Sequence, residues 1–106
     1  MPTIRMTRTT ALVLVALSRG TRHGFDVLDA TGLPSGTVYP ILRRLETAGL
    51  LLSRWEAVRQ ARDEGRPPRR YYELTGAGAD TVRDALARYP EARAALAPGG
   101  LAPRPT

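Results

Sequence analysis

Ser35-Gly36-Thr37-Val38-Tyr39-Pro40-Ile41-Leu42-Arg43-Arg44-Leu45-Glu46-Thr47-Ala48 carries the clearest helical period in the chain. Val38, Ile41, Leu42, Leu45 and Ala48 recur at i, i+3, i+4, i+7 and i+10, which is one face of a 3.6-residue repeat. The opposite face shows Gly36, Thr37, Tyr39, Arg43 and Arg44, a set of small, polar and basic groups with one aromatic hydroxyl. Ser35 is placed to cap the first turn through its hydroxyl. Pro40 lacks an N–H and its ring meets the carbonyl four residues back. That residue is Gly36, in the first turn, where the strain is most easily absorbed. Gly49 stops the helix.

Working outward, residues 24–31 read as a shorter helix with Phe25, Leu28 and Val27 inward and Gly32 as its stop. Residues 7–18 read as a first helix capped by Thr7, with Ala11, Leu14, Val15 and Ser18 at helical spacing. Leu12, Val13 and Leu17 make its other face apolar too, and a helix apolar nearly all round must be covered on both sides. In a chain of 106 residues the expected second cover is another subunit. Downstream, residues 50–56 form a strand with Leu51, Ser53 and Trp55 on one side, and residues 69–74 return with Tyr72 and Leu74 on one face. Residues 57–68, with Arg59, Arg62, Gly65, Arg66 and two prolines, read as an irregular basic hairpin tip with Arg66 at its end. Thr75 caps a last helix whose stripe is Ala79, Val82, Leu86 and Tyr89, and Pro90 bends or ends it before a short helical stretch at 91–97. Residues 98–106 hold too little apolar content to order themselves and are expected to be a flexible tail.

This order of elements predicts a mainly α fold with a small two- or three-stranded β wing, a winged helix-turn-helix with a C-terminal dimerisation helix. Residues 1–75 would be the DNA-binding domain, 76–97 the dimerisation helix and 98–106 the tail. The third helix fits a major groove about 12 Å wide, and a basic wing reaches phosphates or the flanking minor groove. Composition agrees. The 16 basic residues, all Arg, against 10 acidic ones leave a net charge of +6, the electrostatic signature of a compact domain that meets phosphates. The all-Arg bias is that of a GC-rich genome. An apolar content of 42% is that of a folded chain, and the absence of cysteine excludes disulfides and thiolate chemistry and fits a reducing cytoplasm. The longest apolar run, residues 11–17, is far shorter than the roughly 20 residues that span a bilayer, so no membrane partner is expected. His23 is the only histidine, and a turn-stabilising hydrogen bond is its expected role. Neither a nucleophile elbow nor a phosphate loop is present, so no enzyme, metal or cofactor is expected.

The chain resembles the PadR-like transcriptional regulators. The resemblance is carried by His23-Gly24-Phe25, by Ser35-Gly36-Thr37-Val38-Tyr39-Pro40 with Leu42-Arg43-Arg44-Leu45-Glu46 and Gly49-Leu50-Leu51, by Trp55-Glu56, and by Pro67-Pro68-Arg69-Arg70-Tyr71-Tyr72 before Leu74-Thr75 and Gly78. It implies a homodimeric, usually repressing factor on a palindromic operator, often released by a small molecule. The order Pro34-Ser35 departs from the family's usual Ser before Pro and shifts the cap by one residue, and Gly76 with Gly78 leaves the last helix poorly nucleated, at about 1 kcal/mol for each Gly relative to Ala. The short C-terminal region resembles the smaller members, in which one helix packs against the partner's first helix.

The candidate DNA contacts are Ser35, Gly36, Thr37, Tyr39, Arg43, Arg44, Arg66, Arg69 and Arg70. For Arg43 and Arg44 the alternative is a solvated surface or a pair with Glu46 or Glu73. One of Arg69 and Arg70 must point inward toward the third helix. The candidate dimer contacts are Leu12, Val13, Leu17, Val82, Leu86 and Tyr89. Trp55 either packs on the core or, as the resemblance implies, meets a planar aromatic effector. The expected partners are double-stranded DNA, a second copy of the chain and such an effector. A different class of function, a winged-helix module for protein or RNA without sequence-specific DNA binding, fits the same order of elements.

Overall fold

A computed structural model describes residues 4–21 and 23–96. The elements are α1 (Arg8–Ser18), α2 (Gly24–Thr31), α3 (Ser35–Thr47), β1 (Leu51–Trp55), α4 (Val58–Asp63), β2 (Arg70–Leu74), α5 (Gly76–Arg88) and α6 (Ala92–Ala95). This is the mainly helical fold with a two-stranded wing expected from the sequence.

Helix α1 is its centre. Thr7 caps it, its Oγ1 accepting from the Thr10 N–H at 3.2 Å. Every residue from Thr10 to Leu17 is buried. The cover comes from the chain itself: α2, α3 and β2 pack on α1, and α5 and α6 pack on it too. Leu12, Val13, Leu17 and Val82, expected at a partner's surface, lie in the protomer's own core. Leu86 and Tyr89 are half-buried against that core. The second apolar face of α1 and the narrow stripe of α5 satisfy one another, and two features read as unpartnered are one contact.

Helix α2 buries Val27 and Ala30 and ends at Gly32, whose φ of 70° is left-handed and whose N–H reaches the Leu28 carbonyl at 2.8 Å. Phe25, expected inward, is 68% exposed. The inward side of this short helix is set by Val27 and Ala30, three residues apart, and Phe25 falls beside that stripe. Helix α3 buries Val38, Ile41, Leu42 and Leu45 as its period requires and continues through Pro40. Its N-cap is Pro34, with extended backbone and no side-chain cap bond, so Ser35 is the first helical residue instead of the cap. The Pro34 carbonyl accepts from the Thr37 and Val38 N–H groups.

The wing strands pair antiparallel with Leu51 opposite Leu74, Ser53 opposite Tyr72 and Trp55 opposite Arg70. An isolated bridge between His23 and Tyr71 fastens the entry of α2 to β2. The segment between the strands is a second correction. Val58–Asp63 is a helix with Ala61 fully buried, because the glycine and prolines that break the segment all come after it. Thr75 caps α5, accepting from the Gly78 N–H at 3.0 Å and donating to the Gly49 carbonyl at 2.8 Å. Gly78 is buried, and a Cβ on it would collide with the Leu50 carbonyl. The expected tail at 98–106 lies outside the described residues.

Candidate nucleic-acid interface

With its apolar stripe buried, α3 presents Ser35, Gly36, Arg43 and Arg44 to solvent, with Thr37 half-buried between them. Neither arginine has an ion pair among the described residues, so the expected alternative with Glu46 or Glu73 is not formed. Tyr39 is 37% exposed and leans across the start of α2. A Cβ on Gly24 would come within 2.5 Å of its Oη. Glycine there makes the seat for the hydroxyl end of the ring.

The wing is bound to α3 by a network that the sequence did not announce. Ser53 Oγ donates to Glu46 Oε2 at 2.5 Å, and Arg70 Nη2 donates to Ser53 Oγ at 2.7 Å and to Glu46 Oε1 at 3.3 Å. The Arg70 guanidinium also lies 5.4 Å from the Trp55 ring centre. Arg70 is therefore the inward arginine of the pair. Arg69 turns to α2, its Nη1 3.3 Å from His23 Nε2, and that nitrogen is also 3.3 Å from Asp26 Oδ2. His23 links its turn to the wing, and burial lowers its pKa from the usual 6.5 against the opposing pull of Asp26.

Arg66 is not at a free tip. Its guanidinium makes two bonds to the buried Glu56 carboxylate, at 2.5 and 2.7 Å, and pairs with Glu64 at 3.2 Å. Glu56 also accepts from the Arg69 N–H at 3.3 Å and the Tyr71 hydroxyl at 3.2 Å. The Arg66 bonds, against the opposing effect of burial, hold the Glu56 carboxyl at about 2, well below its usual 4.5. The basic surface of the wing falls instead to Arg59 and Arg62, both exposed on α4, and to Arg54, which lies over the Tyr71 ring at 5.1 Å. Glu46 and Glu56 are thus positioning residues for the wing. The signal for them was thin, because a glutamate at the end of a helix or strand reads equally well as solvated.

Trp55 does not pack on the core; it is 63% exposed at the far end of β1. It borders a cleft of about 690 Å³ between α2, α3 and the wing, whose walls include Phe25, Tyr39, Arg43, Arg70 and Tyr72. Burial pushes the Tyr72 phenol up, with Arg70 acting against it. Among the described residues no cluster suits a metal ion, and no helix is long and apolar enough to cross a membrane.

The sequence matches the transcriptional regulator PadR-like family over residues 13–84, which takes in α2, α3, both wing strands and most of α1 and α5. The chain belongs to the PadR-like family. Solved PadR-like structures agree. The chain is 27% identical to a PadR-like transcription factor from Bacteroides fragilis, covering 80% of this chain and 82% of that one at a TM-score of 0.63. To a PadR family regulator from Eggerthella lenta it is 29% identical, with 77% and 74% covered and a TM-score of 0.60. A PadR family regulator from Clostridium difficile R20291 shares the fold, at 20% identity, 83% and 93% coverage and a TM-score of 0.67. No curated protein matches the sequence. Membership makes this PadR-like chain a transcription regulator, which implies regulation through DNA.

Proposed function

We propose that this PadR-like protein is a sequence-specific repressor that binds a palindromic operator as a homodimer in the cytoplasm and is released by a small molecule. The observation that carries the DNA-reading part is the open face of α3. Its apolar side is fully engaged in the core, while Ser35, Gly36, Thr37, Tyr39, Arg43 and Arg44 are left on one outward surface. Small groups near the N-terminal end let the helix approach base edges, and the two guanidiniums further along, without an ion pair among the described residues, reach phosphates. The Glu46–Ser53–Arg70 network holds the wing at a set angle to that helix, so both elements meet one duplex together. Arg54, Arg59 and Arg62 then supply phosphate contacts from the wing, and Arg66, Arg69 and Arg70 orient it.

A homodimer supports specificity, because one recognition helix reads only a few base pairs and two half-sites about one helical turn apart multiply the discrimination. With Leu12, Val13, Leu17 and Val82 inside the protomer, the expected contact residues left partly open to a second copy are Leu86 and Tyr89, at the C-terminal end of α5. Selection from a random-sequence duplex library tests the proposal. The expected product is an enriched motif with dyad symmetry, together with a dimer by sedimentation velocity. A pool that stays random after repeated selection refutes sequence reading, and an enriched half-site without a dyad refutes the dimer.

A further inference from the structure

We propose that His23 is a proton-operated latch between α2 and the wing: the neutral ring holds the Arg69 guanidinium, and the protonated ring pairs with Asp26 and releases Arg69 to a DNA phosphate. The inference rests on the DNA-binding reading above and adds a control of it by the proton alone.

Two contacts on one atom carry the latch. His23 Nε2 lies 3.3 Å from Arg69 Nη1 and 3.3 Å from Asp26 Oδ2. A guanidinium only donates, so the first contact needs a lone pair on Nε2; an ionised carboxylate only accepts, so the second needs a proton there. The two are therefore hydrogen bonds in opposite protonation states. A neutral ring that accepts from Arg69 carries its proton on Nδ1, and the imidazolium carries one there too. Nδ1 is buried without a hydrogen-bond partner among the described residues, so it favours neither state, and Nε2 alone chooses the partner.

The surroundings set which state holds at neutral pH. Asp26 from α2 and Arg69, Arg66 and Glu56 from the wing act on the ring electrostatically, and Tyr71 of β2 meets it edge-on at 5.9 Å. Glu56 and Arg66 are bonded to each other, which leaves Asp26 against Arg69 at Nε2. Burial of the imidazole, 14% exposed, adds to the side of Arg69, so the ring is neutral at pH 7 and Arg69 is held. Once Nε2 is protonated, two cations stand within hydrogen-bonding distance and repel, and the Asp26 contact takes over. The released guanidinium has no ion pair among the described residues to fall back on, and Arg69 lines the same cleft as Tyr39 and Arg43 of the α3 face. A phosphate of the duplex is the anion it meets there. The wing keeps its place, because the backbone bridge of His23 to Tyr71 and the Glu46–Ser53–Arg70 network do not involve Nε2.

His23 is the only histidine, so the untagged full-length ¹⁵N-labelled protein gives one set of imidazole signals. Followed by NMR from about pH 8 to about pH 4.5, Nδ1 should keep its proton throughout while Nε2 gains one, with a midpoint below that of free histidine. A neutral ring protonated on Nε2, or a ring that does not titrate in this range, overturns the latch. Binding of a selected operator and of a random duplex is then measured across salt at about pH 7.5 and at about one pH unit below that midpoint. Acid should steepen the slope of log K against log salt by about one and tighten both duplexes alike, because a phosphate contact carries no sequence. By reciprocity, bound duplex should raise the His23 midpoint. In His23→Gln, and in Arg69→Gln as the second variant, the slope should be the same at both pH values, and in Arg69→Gln the His23 midpoint should rise as well. A wild-type slope indifferent to pH, or a change that persists in His23→Gln, overturns the release of Arg69. A protein that binds no duplex at either pH removes the DNA-binding reading instead, and the His23 titration with its shift in Arg69→Gln then decides the latch alone.

Discussion

Gly76 and Gly78 look alike in the sequence, as two weak formers in the first turn of α5, and the structure separates them. Each Gly→Ala change in a helix gains up to about 1 kcal/mol from backbone entropy. At Gly76 nothing lies within 4 Å of an added Cβ, so Gly76→Ala should keep most of that gain. At Gly78 the Cβ runs into the Leu50 carbonyl and meets Leu74 Cδ2 at 3.0 Å. That carbonyl cannot turn aside freely, because it accepts the Thr75 N–H at 3.1 Å beside the cap of α5. Overpacking against backbone costs about 1–3 kcal/mol and outweighs the propensity gain, so Gly78→Ala should lose about 1–2 kcal/mol net. Urea unfolding reads both: with a slope of about 1–3 kcal/mol/M for a domain of this size, the two midpoints should move in opposite directions by several tenths of a molar or more. A Gly78→Ala protein as stable as Gly76→Ala would refute the close approach of α5 to the end of α3 and β1.

Tyr39→Ala should weaken a selected operator by about 1–3 kcal/mol and random duplex little, measured by fluorescence anisotropy on both; equal losses would make Tyr39 a packing residue only. Arg43→Ala and Arg44→Ala should each lower the slope of log K against log salt by about one, whereas Arg66→Ala should leave the slope unchanged and instead loosen the wing, seen as faster amide exchange in β1 and β2. Acid should destabilise the protein through Glu56. Its carboxyl is depressed in the fold from 4.5 to about 2, so the stability it contributes is complete above pH 4.5 and is lost as pH falls from there toward 2. The melting temperature followed down to pH 2 should fall less steeply in Glu56→Gln than in the wild type.

The fold was legible in the sequence wherever one local rule decided. The period of Val38, Ile41, Leu42 and Leu45 placed α3, Thr7 and Thr75 marked two caps, and Gly32 marked a stop. Misreadings arose where the outcome depended on elements distant in the chain. The second face of α1 is covered by α5 and α6, more than fifty residues away, which no local count of apolar residues can anticipate. The sequence puts Arg66 at the hairpin tip, beyond its acidic neighbours, while its partner, Glu56, stands ten residues back across the wing insert. Of the candidate site, the α3 face was legible from its polarity alone. The Glu46–Ser53–Arg70 network was not, because its members come from α3, β1 and β2 and meet only when the strands pair in their observed register.

The central claim is that α3 reads bases while arginines hold phosphates. Equilibrium binding of the wild-type protein to a selected operator and to a scrambled duplex of the same composition, across a range of salt, tests both halves at once. The expected result is a preference of at least about a thousandfold for the operator, with both affinities falling steeply and linearly in log salt. Equal affinity for the two duplexes, or binding indifferent to salt, would contradict it.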